Sequence, residues 1–467
     1  MAPAPQRHQG TPVNQDQPLP RVLGVSQATA VVVGTIIGSG IFLVPREMMQ
    51  AAGSAGLVYL AWIAGGLLSL FGALTYAELG AARPQAGGEY AYLRDAYGDL
   101  AGFLNMWTWF AVAKPASIAS VTIGITRVLG TFPALDFLNR PIVHGLPLLW
   151  AQPAAIGCAW FVTWLNYLGI EKAANFQLVF TWLKGLLVLV IVGFCLSGGH
   201  GDTANFHTLL PGATGGFTGF MIALTATLWA YDGWNDLNMA AGEVKNPQRT
   251  LPLALILGLL IVAFLYMLTN AAILYVLPPA DMAASPRPAV EAMLRSAGPV
   301  GAGLVSAAMA LSMLVTLNGT VLSGARIPYA AARDGLFFRR MAAVHPRFHS
   351  PANSLIVQGL LATALLLLSA GFQALFELAI FAEWLIYLLA ASTVFVFRRR
   401  PGEPPSPYRM PGYPVVPALF VLAAGAVLVY TYATNFLHSL AGTALILAGV
   451  PLYWWIRKGQ RHPPVSR

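Results

Sequence analysis

Charge is scarce in this chain: Asp, Glu, Lys and Arg make up 10% of its 467 residues. A soluble domain carries about a quarter, because its surface must face water. So little polar material cannot coat a globule of this length, which excludes the soluble classes. Cysteine is scarcer still. Cys158 and Cys195 both lie inside apolar runs, so no disulfide framework is implied and both read as small core residues. No HExxH and no Cys/His ligand spacing occurs, and the histidines fall in tails, loops or the ends of apolar runs. A membrane-embedded enzyme needs a nucleophile, a base or a metal cluster at one depth, and none is found; no metal or cofactor is expected. Rings of like charge or a filter repeat, the marks of a channel, are missing too. A cleavable signal peptide is not expected, since the first apolar run begins near Gly24 and continues as a full span.

What the chain has is apolar length. Hydrophobic residues make up 57%, in runs of about the twenty residues that cross a hydrocarbon core. Breaks between runs give twelve spans, near 24–51, 57–82, 98–130, 151–169, 173–198, 215–242, 251–277, 299–333, 352–371, 373–397, 413–433 and 437–456. Barrel strands would alternate polar and apolar over about ten residues, so the spans read as helices of an all-α polytopic membrane protein. The net charge of +9 sits in short connectors and tails, which suits membrane topology and not a nucleic-acid partner. With the N-terminus inside, only Arg127, Arg140, Arg287 and Arg295 fall outside. Arg46, Lys114, Lys184 and Arg326 lie within or beside spans, and the other 19 of the 27 basic residues are cytoplasmic. Both termini are therefore expected in the cytoplasm and the protein in the plasma (inner) membrane. Residues 1–23 read as a disordered cytoplasmic tail, 288–297 as a short surface helix in the outer loop 278–298, and 457–467 as a cytoplasmic tail.

Two spans carry interruptions. In span 1, Gly34-Thr35-Ile36-Ile37-Gly38-Ser39-Gly40-Ile41-Phe42 places three glycines in seven residues, poor material for a continuous helix. The alternative is close helix packing through small residues; Gly-Ser-Gly runs around the helix instead of along one face, which favours unwinding. In span 6, Trp229-Ala230-Tyr231-Asp232-Gly233-Trp234 sets a carboxylate deep in the membrane. Such a placement costs about 3 kcal/mol on insertion scales and calls for a cavity, partner or substrate. The breaks lie five spans apart. A five-span unit repeated must invert, and matching discontinuous helices mark the site in secondary transporters. Half-helix N-termini suit a carboxylate and freed carbonyls suit an ammonium, so facing breaks point to an amino acid zwitterion.

These segments resemble the amino acid–polyamine–organocation superfamily, and more closely its L-type amino acid transporter branch, the light subunits of heteromeric transporters and their bacterial relatives. The resemblance rests on residues 34–42 with Pro45, Tyr76-Ala77-Glu78-Leu79-Gly80, Gly87-Gly88-Glu89-Tyr90-Ala91-Tyr92-Leu93, residues 229–247 with Leu251-Pro252, Leu317-Asn318-Gly319-Thr320 and Ala332-Arg333-Asp334-Gly335. It covers spans 1 to 10. It implies a LeuT-like five-plus-five inverted repeat, with 24–198 and 215–397 as the two halves, 413–456 as two trailing helices, and alternating access. By matching position it implies that Gly38, Ser39 and Gly40 hold the substrate carboxylate. The carbonyls of Ile36, Trp229 and Ala230 would hold the ammonium, with Trp229 as an aromatic lid. Lys184 would stand where sodium-coupled relatives hold sodium, which implies sodium independence; the alternative is that it snorkels to the cytoplasmic surface.

Asp232 has two readings: contact with a cationic substrate side chain, or a structural ion pair or helix-end hydrogen bond. Glu383 in span 10 reads as a proton relay or a buried pair, and Lys114-Pro115 in span 3 as structural. Glu78, Arg83, Arg333 and Asp334 stand at cytoplasmic span ends, where ion pairs could latch an inner gate. Light subunits carry a partner-linking cysteine between spans 3 and 4; residues 131–150 have none, so no disulfide-linked heavy subunit is expected. The functional expectation is sodium-independent exchange of neutral, and on one reading of Asp232 also cationic, amino acids. Proton-coupled uptake and a non-transporting amino acid sensor are the alternatives.

Overall fold

The computed structural model describes residues 18–142, 149–368, 372–434 and 436–460. Among these the chain is helical, with isolated bridges in place of strands. In order, the helices are α1 (Val25–Ile36), α2 (Gly40–Ala52), α3 (Ala55–Ala82), α4 (Glu89–Tyr97), α5 (Asp99–Trp107), α6 (Lys114–Leu129), α7 (Ala151–Tyr167), α8 (Ile170–Ser197) and α9 (Gly216–Ala230). There follow α10 (Asp236–Met239), α11 (Pro247–Val276), α12 (Pro279–Ala284), α13 (Pro288–Gly324), α14 (Arg326–Arg333) and α15 (Ala352–Leu368). The last four are α16 (Phe372–Arg399), α17 (Val415–Thr434), α18 (Phe436–Leu447) and α19 (Gly449–Gln460). Helices occupy all twelve expected stretches. Among the described residues, seven helical stretches are long and apolar enough to cross a membrane, eight if the pair α1 and α2, bent by 42°, counts as one; α9 and α15 are shorter apolar helices.

The surface is what a hydrocarbon solvent requires. Trp182, Phe217, Val429 and Leu437 are largely exposed, while polar side chains such as Asn166, Gln177 and Asn318 turn inward and bond to one another. Asn166 Nδ2 donates to Asn318 Oδ1 at 2.9 Å, and Asn318 Nδ2 to Gln177 Oε1 at 2.7 Å. In lipid every polar group needs an internal partner, so the bundle is polar inside and apolar outside. This multi-pass arrangement packs α1, α3, α9, α11 and α13 against one another around the two interruptions.

Several expectations shift. Leu19 and Leu23 are buried, and the amides of Val22 and Leu23 both donate to the Glu243 carbonyl at 2.9 Å. Packed chain therefore begins before residue 24, and only 1–17 of the expected tail lies outside the described residues. Residues 461–467 of the C-terminal tail also lie outside them. Span 3 is not one regular helix: a π turn, Thr108–Ala113, joins α5 to α6. The segment 288–297 is helical as expected and runs into α13 across a kink at Gly298. Helix α4, between spans 2 and 3, carries too little apolar periodicity to have been read from sequence.

Candidate functional site

The first break is short. Helix α1 ends at Ile36, Ile37–Ser39 is non-helical, and α2 starts at Gly40 with Ser39 as an N-cap whose hydroxyl makes no capping bond. The first N–H groups of any helix lack an intrahelical acceptor, so α2 presents open amides at the break. The second break falls later than the sequence suggests. Trp229 and Ala230 are still helical, and the interruption runs over 231–235, turning at Gly233 with φ of 106°. A helix leaves its last four carbonyls unpaired, so Trp229 and Ala230 offer carbonyls from a helix end and not from unwound chain.

One cavity of about 130 Å³ joins the two breaks. Ile36, Gly38, Ser39, Gly40, Trp229, Ala230 and Asp232 all line it, as does Glu383. The expected ammonium acceptors are already engaged. The Tyr266 hydroxyl reaches the Ile36 carbonyl at 3.1 Å and the Ala230 carbonyl at 2.8 Å, so one proton serves two acceptors. The Trp229 carbonyl accepts the Asp232 amide at 3.1 Å. The Ile36 carbonyl also takes the Gly38 amide at 2.8 Å and the Trp229 carbonyl the Tyr231 amide, so of the three Ala230 keeps a lone pair for a ligand and the others would exchange a partner for it.

Lys184 does not snorkel. It is 1% exposed, and its Nζ donates to the Gly34 and Ile37 carbonyls at 2.7 Å each. Ser312 Oγ donates to the Ile37 carbonyl at 2.6 Å, and Thr316 Oγ1 lies 3.2 Å from the Gly34 carbonyl. An ammonium and two hydroxyls therefore surround the carbonyls that unwinding frees.

A second constellation fills the far wall. Lys114, raised into the cavity directly after the π turn, ion-pairs with Asp236, and its ammonium lies 4.8 Å from the Trp109 ring centroid. π turns recur where a side chain must be re-aimed. The Tyr387 hydroxyl donates to Asp232 Oδ1 at 2.7 Å or to Asn235 Oδ1 at 3.0 Å, and Asn235 Nδ2 donates to the buried Glu89 at 2.9 Å. Glu383 accepts from Ser117 Oγ at 3.3 Å and lines the same cavity as Asp232. Sequence reading gave Lys114 a structural part and missed Asp236, Tyr266, Ser312, Thr316 and Tyr387. Two opposite charges inside spans 3 and 6 were the available signal for the Lys114–Asp236 pair. Hydroxyls on α11 and α13 carry no such signal.

The expected gate residues separate into two clusters. Arg398 reaches both Glu78 carboxylate oxygens at 2.7 Å, and the Met410 amide donates to Glu78 at 2.8 Å. Asp334 pairs with Arg94 and accepts from Tyr90 at 2.9 Å, while Arg333 donates to the Tyr329 hydroxyl at 3.3 Å. Arg83 pairs with Asp95 and Glu403. Glu78 therefore latches to the end of α16 and the segment that follows it, not to Arg333 or Asp334. Away from these clusters, a cavity of about 240 Å³ shares Ser39 and Met313 with the central one and extends to Arg127, Thr131 and Arg287.

The breaks touch at Gly233. A Cβ there would lie 2.9 Å from Thr35 Cγ2 and 3.3 Å from the Thr35 carbonyl carbon and oxygen. Positive φ and contact with backbone together make Gly233→Ala cost about 1–3 kcal/mol. Initial flux per mole of reconstituted protein should fall roughly tenfold, since 1.4 kcal/mol is a factor of ten; an unchanged rate would show that the breaks need not meet there.

A membrane bundle with two interrupted helices, whose backbone amides and carbonyls face one cavity, defines a small-molecule transporter. The amino acid permease family model matches residues 23–456, and the chain belongs to that family. It is 31% identical over 447 residues to the serine/threonine exchanger SteT of Bacillus subtilis, covering 95% of this chain and 98% of that one. It is 31% identical over 408 residues to the human b(0,+)-type amino acid transporter 1, covering 86% and 81% respectively. Against the human cystine/glutamate transporter it is 30% identical over 440 residues, covering 93% and 85%. These relatives are transporters, and the protein is an amino acid permease, not an enzyme.

Proposed function

We propose that this permease exchanges L-amino acids, neutral and cationic, across the plasma (inner) membrane without sodium. The observation that carries the reading is the meeting of both breaks on one cavity. There the amides of Gly38, Ser39 and Gly40, at and just before the start of α2, suit a carboxylate, with Gly38 releasing the Ile36 carbonyl to do so, and the Ile36, Trp229 and Ala230 carbonyls suit an ammonium. Lys184 fills the place of a coupling cation, because its ammonium already neutralises the Gly34 and Ile37 carbonyls. Asp232 faces the same cavity and supplies a charge for a cationic side chain.

In this reading twelve spans form inverted halves at 24–198 and 215–397, with 413–456 trailing and both termini cytoplasmic. The two cavities that share Ser39 and Met313 as lining mark the path from outside. The Glu78, Arg83, Asp334 and Arg326 ion pairs close the cytoplasmic side. No disulfide-linked heavy subunit is required, since residues 131–150 hold no cysteine. The relatives' names support exchange: one is a serine/threonine exchanger, another a b(0,+)-type amino acid transporter.

Proteoliposomes loaded with alanine should take up labelled alanine and leucine several-fold faster than empty ones, at equal rates in sodium and choline buffers. Equal uptake into loaded and empty vesicles would overturn exchange, and strict sodium dependence would overturn the part given to Lys184. Binding without flux would make the protein a sensor.

A further inference from the structure

The charges around the cavity do not cancel. Lys114 neutralises Asp236, and both are buried. Asp232 and Glu383 remain, contributed by spans 6 and 10 and lining the same cavity, where Tyr387 donates to Asp232 at 2.7 Å and Ser117 to Glu383 at 3.3 Å. Two carboxyl groups on one cavity can bond to each other only by sharing a proton, because two carboxylates offer acceptors only. Two unpaired negative charges lining one buried cavity repel each other, and one occupant of charge +1 between them relieves that repulsion when the site closes.

The surroundings leave that occupant undetermined by the protein. The facing charged or titratable groups are Lys114 of α6, Asp236 of α10, Tyr387 of α16, Tyr76 of α3, and Glu89 of α4, which is bonded to Asn235. Lys114 is committed to Asp236, and Tyr387 donates only a neutral hydrogen bond. The pair lies in the cavity that the proposed zwitterion site occupies, on the side of Asp232. A substrate side chain directed there reaches both carboxyls.

Resting on the function proposed above, we propose that Asp232 and Glu383 form a single cation subsite filled either by a proton or by the cationic side chain of a dibasic amino acid. A neutral amino acid enters with the shared proton in place. An amino acid bearing an ammonium or guanidinium side chain displaces it: the O–H bond of the shared proton breaks, both carboxyls become carboxylates, and the proton leaves to water on the open side. The loaded site then carries the same charge with either class of substrate. Exchange of a cationic for a neutral amino acid consequently moves one proton opposite to the cationic substrate, and Glu383 becomes a specificity-determining residue alongside Asp232.

Proton release decides the matter. Purified protein in weakly buffered detergent solution with a pH indicator should release about one proton per arginine bound and none per alanine. Linkage then makes arginine affinity rise up to tenfold per pH unit over the range in which the pair holds its proton, while alanine affinity stays flat. In Glu383→Gln the amide donates to Asp232 in place of the shared proton, so protons released per arginine bound should fall towards zero. Asp232→Asn should lose arginine binding. Equal proton counts for arginine and alanine, unaltered release in Glu383→Gln, or alanine exchange without arginine binding would each overturn the inference while leaving exchange intact. Failure to exchange alanine at all would overturn the underlying reading and the inference with it.

Discussion

Lys184→Met should lower exchange by roughly 100-fold or more, with the protein still present and monodisperse in detergent. The Lys184 ammonium makes two short hydrogen bonds, to the Gly34 and Ile37 carbonyls, in a site that is 1% exposed. Hydrogen bonds to a charged group contribute about 1.5–3 kcal/mol each. Losing both removes at least about 3 kcal/mol from the arrangement that holds span 1 unwound, and 1.4 kcal/mol is tenfold. Ser312 and Thr316 still bond these carbonyls, so the backbone keeps partners and the loss falls mainly on the positioning of the α2 amides. Methionine keeps the length and apolar body of the side chain, which isolates the charge. Initial rates of alanine/alanine exchange test this, normalised to reconstituted protein; a rate within threefold of the parent would remove Lys184 from the site.

The second large effect concerns stability. Arg326 and Glu243 are both wholly buried. Arg326 Nε and Nη2 reach the Glu243 carboxylate at 2.8 and 3.1 Å, and Nη1 donates to the Leu322 carbonyl at 2.7 Å. Arg326→Met leaves an uncompensated carboxylate in the interior, which costs about 3–5 kcal/mol. The Glu243 carbonyl also takes the Val22 and Leu23 amides, so the start of span 1 loosens with it. The thermal unfolding midpoint in detergent should drop by several degrees at least. Adding Glu243→Gln should recover much of the loss, because an isolated buried charge is worse than none. A midpoint unmoved by Arg326→Met would mean that water reaches the pair.

Neither residue stood out equally in the sequence. Lys184, ten residues inside an apolar run, was conspicuous because a charge in a span is rare. Arg326 looked like a residue at a span border, and only the return of Glu243 from beyond α10 shows it to be fully enclosed. The same contrast holds in the cavity. Asp232 was visible as a carboxylate at membrane depth, whereas Tyr266, Ser312, Thr316 and Tyr387 were ordinary apolar-run residues until helices from distant parts of the chain converged on the breaks.

The sequence by itself determined the solvent, the helical class and the two interruptions, because each follows from local composition: too little charge for water, runs long enough for lipid, and glycines or an Asp-Gly step where a helix cannot hold. It also carried the family through its motifs. The tertiary structure decided where each break falls to the residue, that the Trp229 and Ala230 carbonyls are helix ends, and which charges cancel. Pairing of Lys114 with Asp236, and the meeting of Glu383 and Asp232 on one cavity, depend on spans 3, 6 and 10 converging at one depth. Buried charge is governed by its neighbours within a few ångströms, and those neighbours are far apart along the chain.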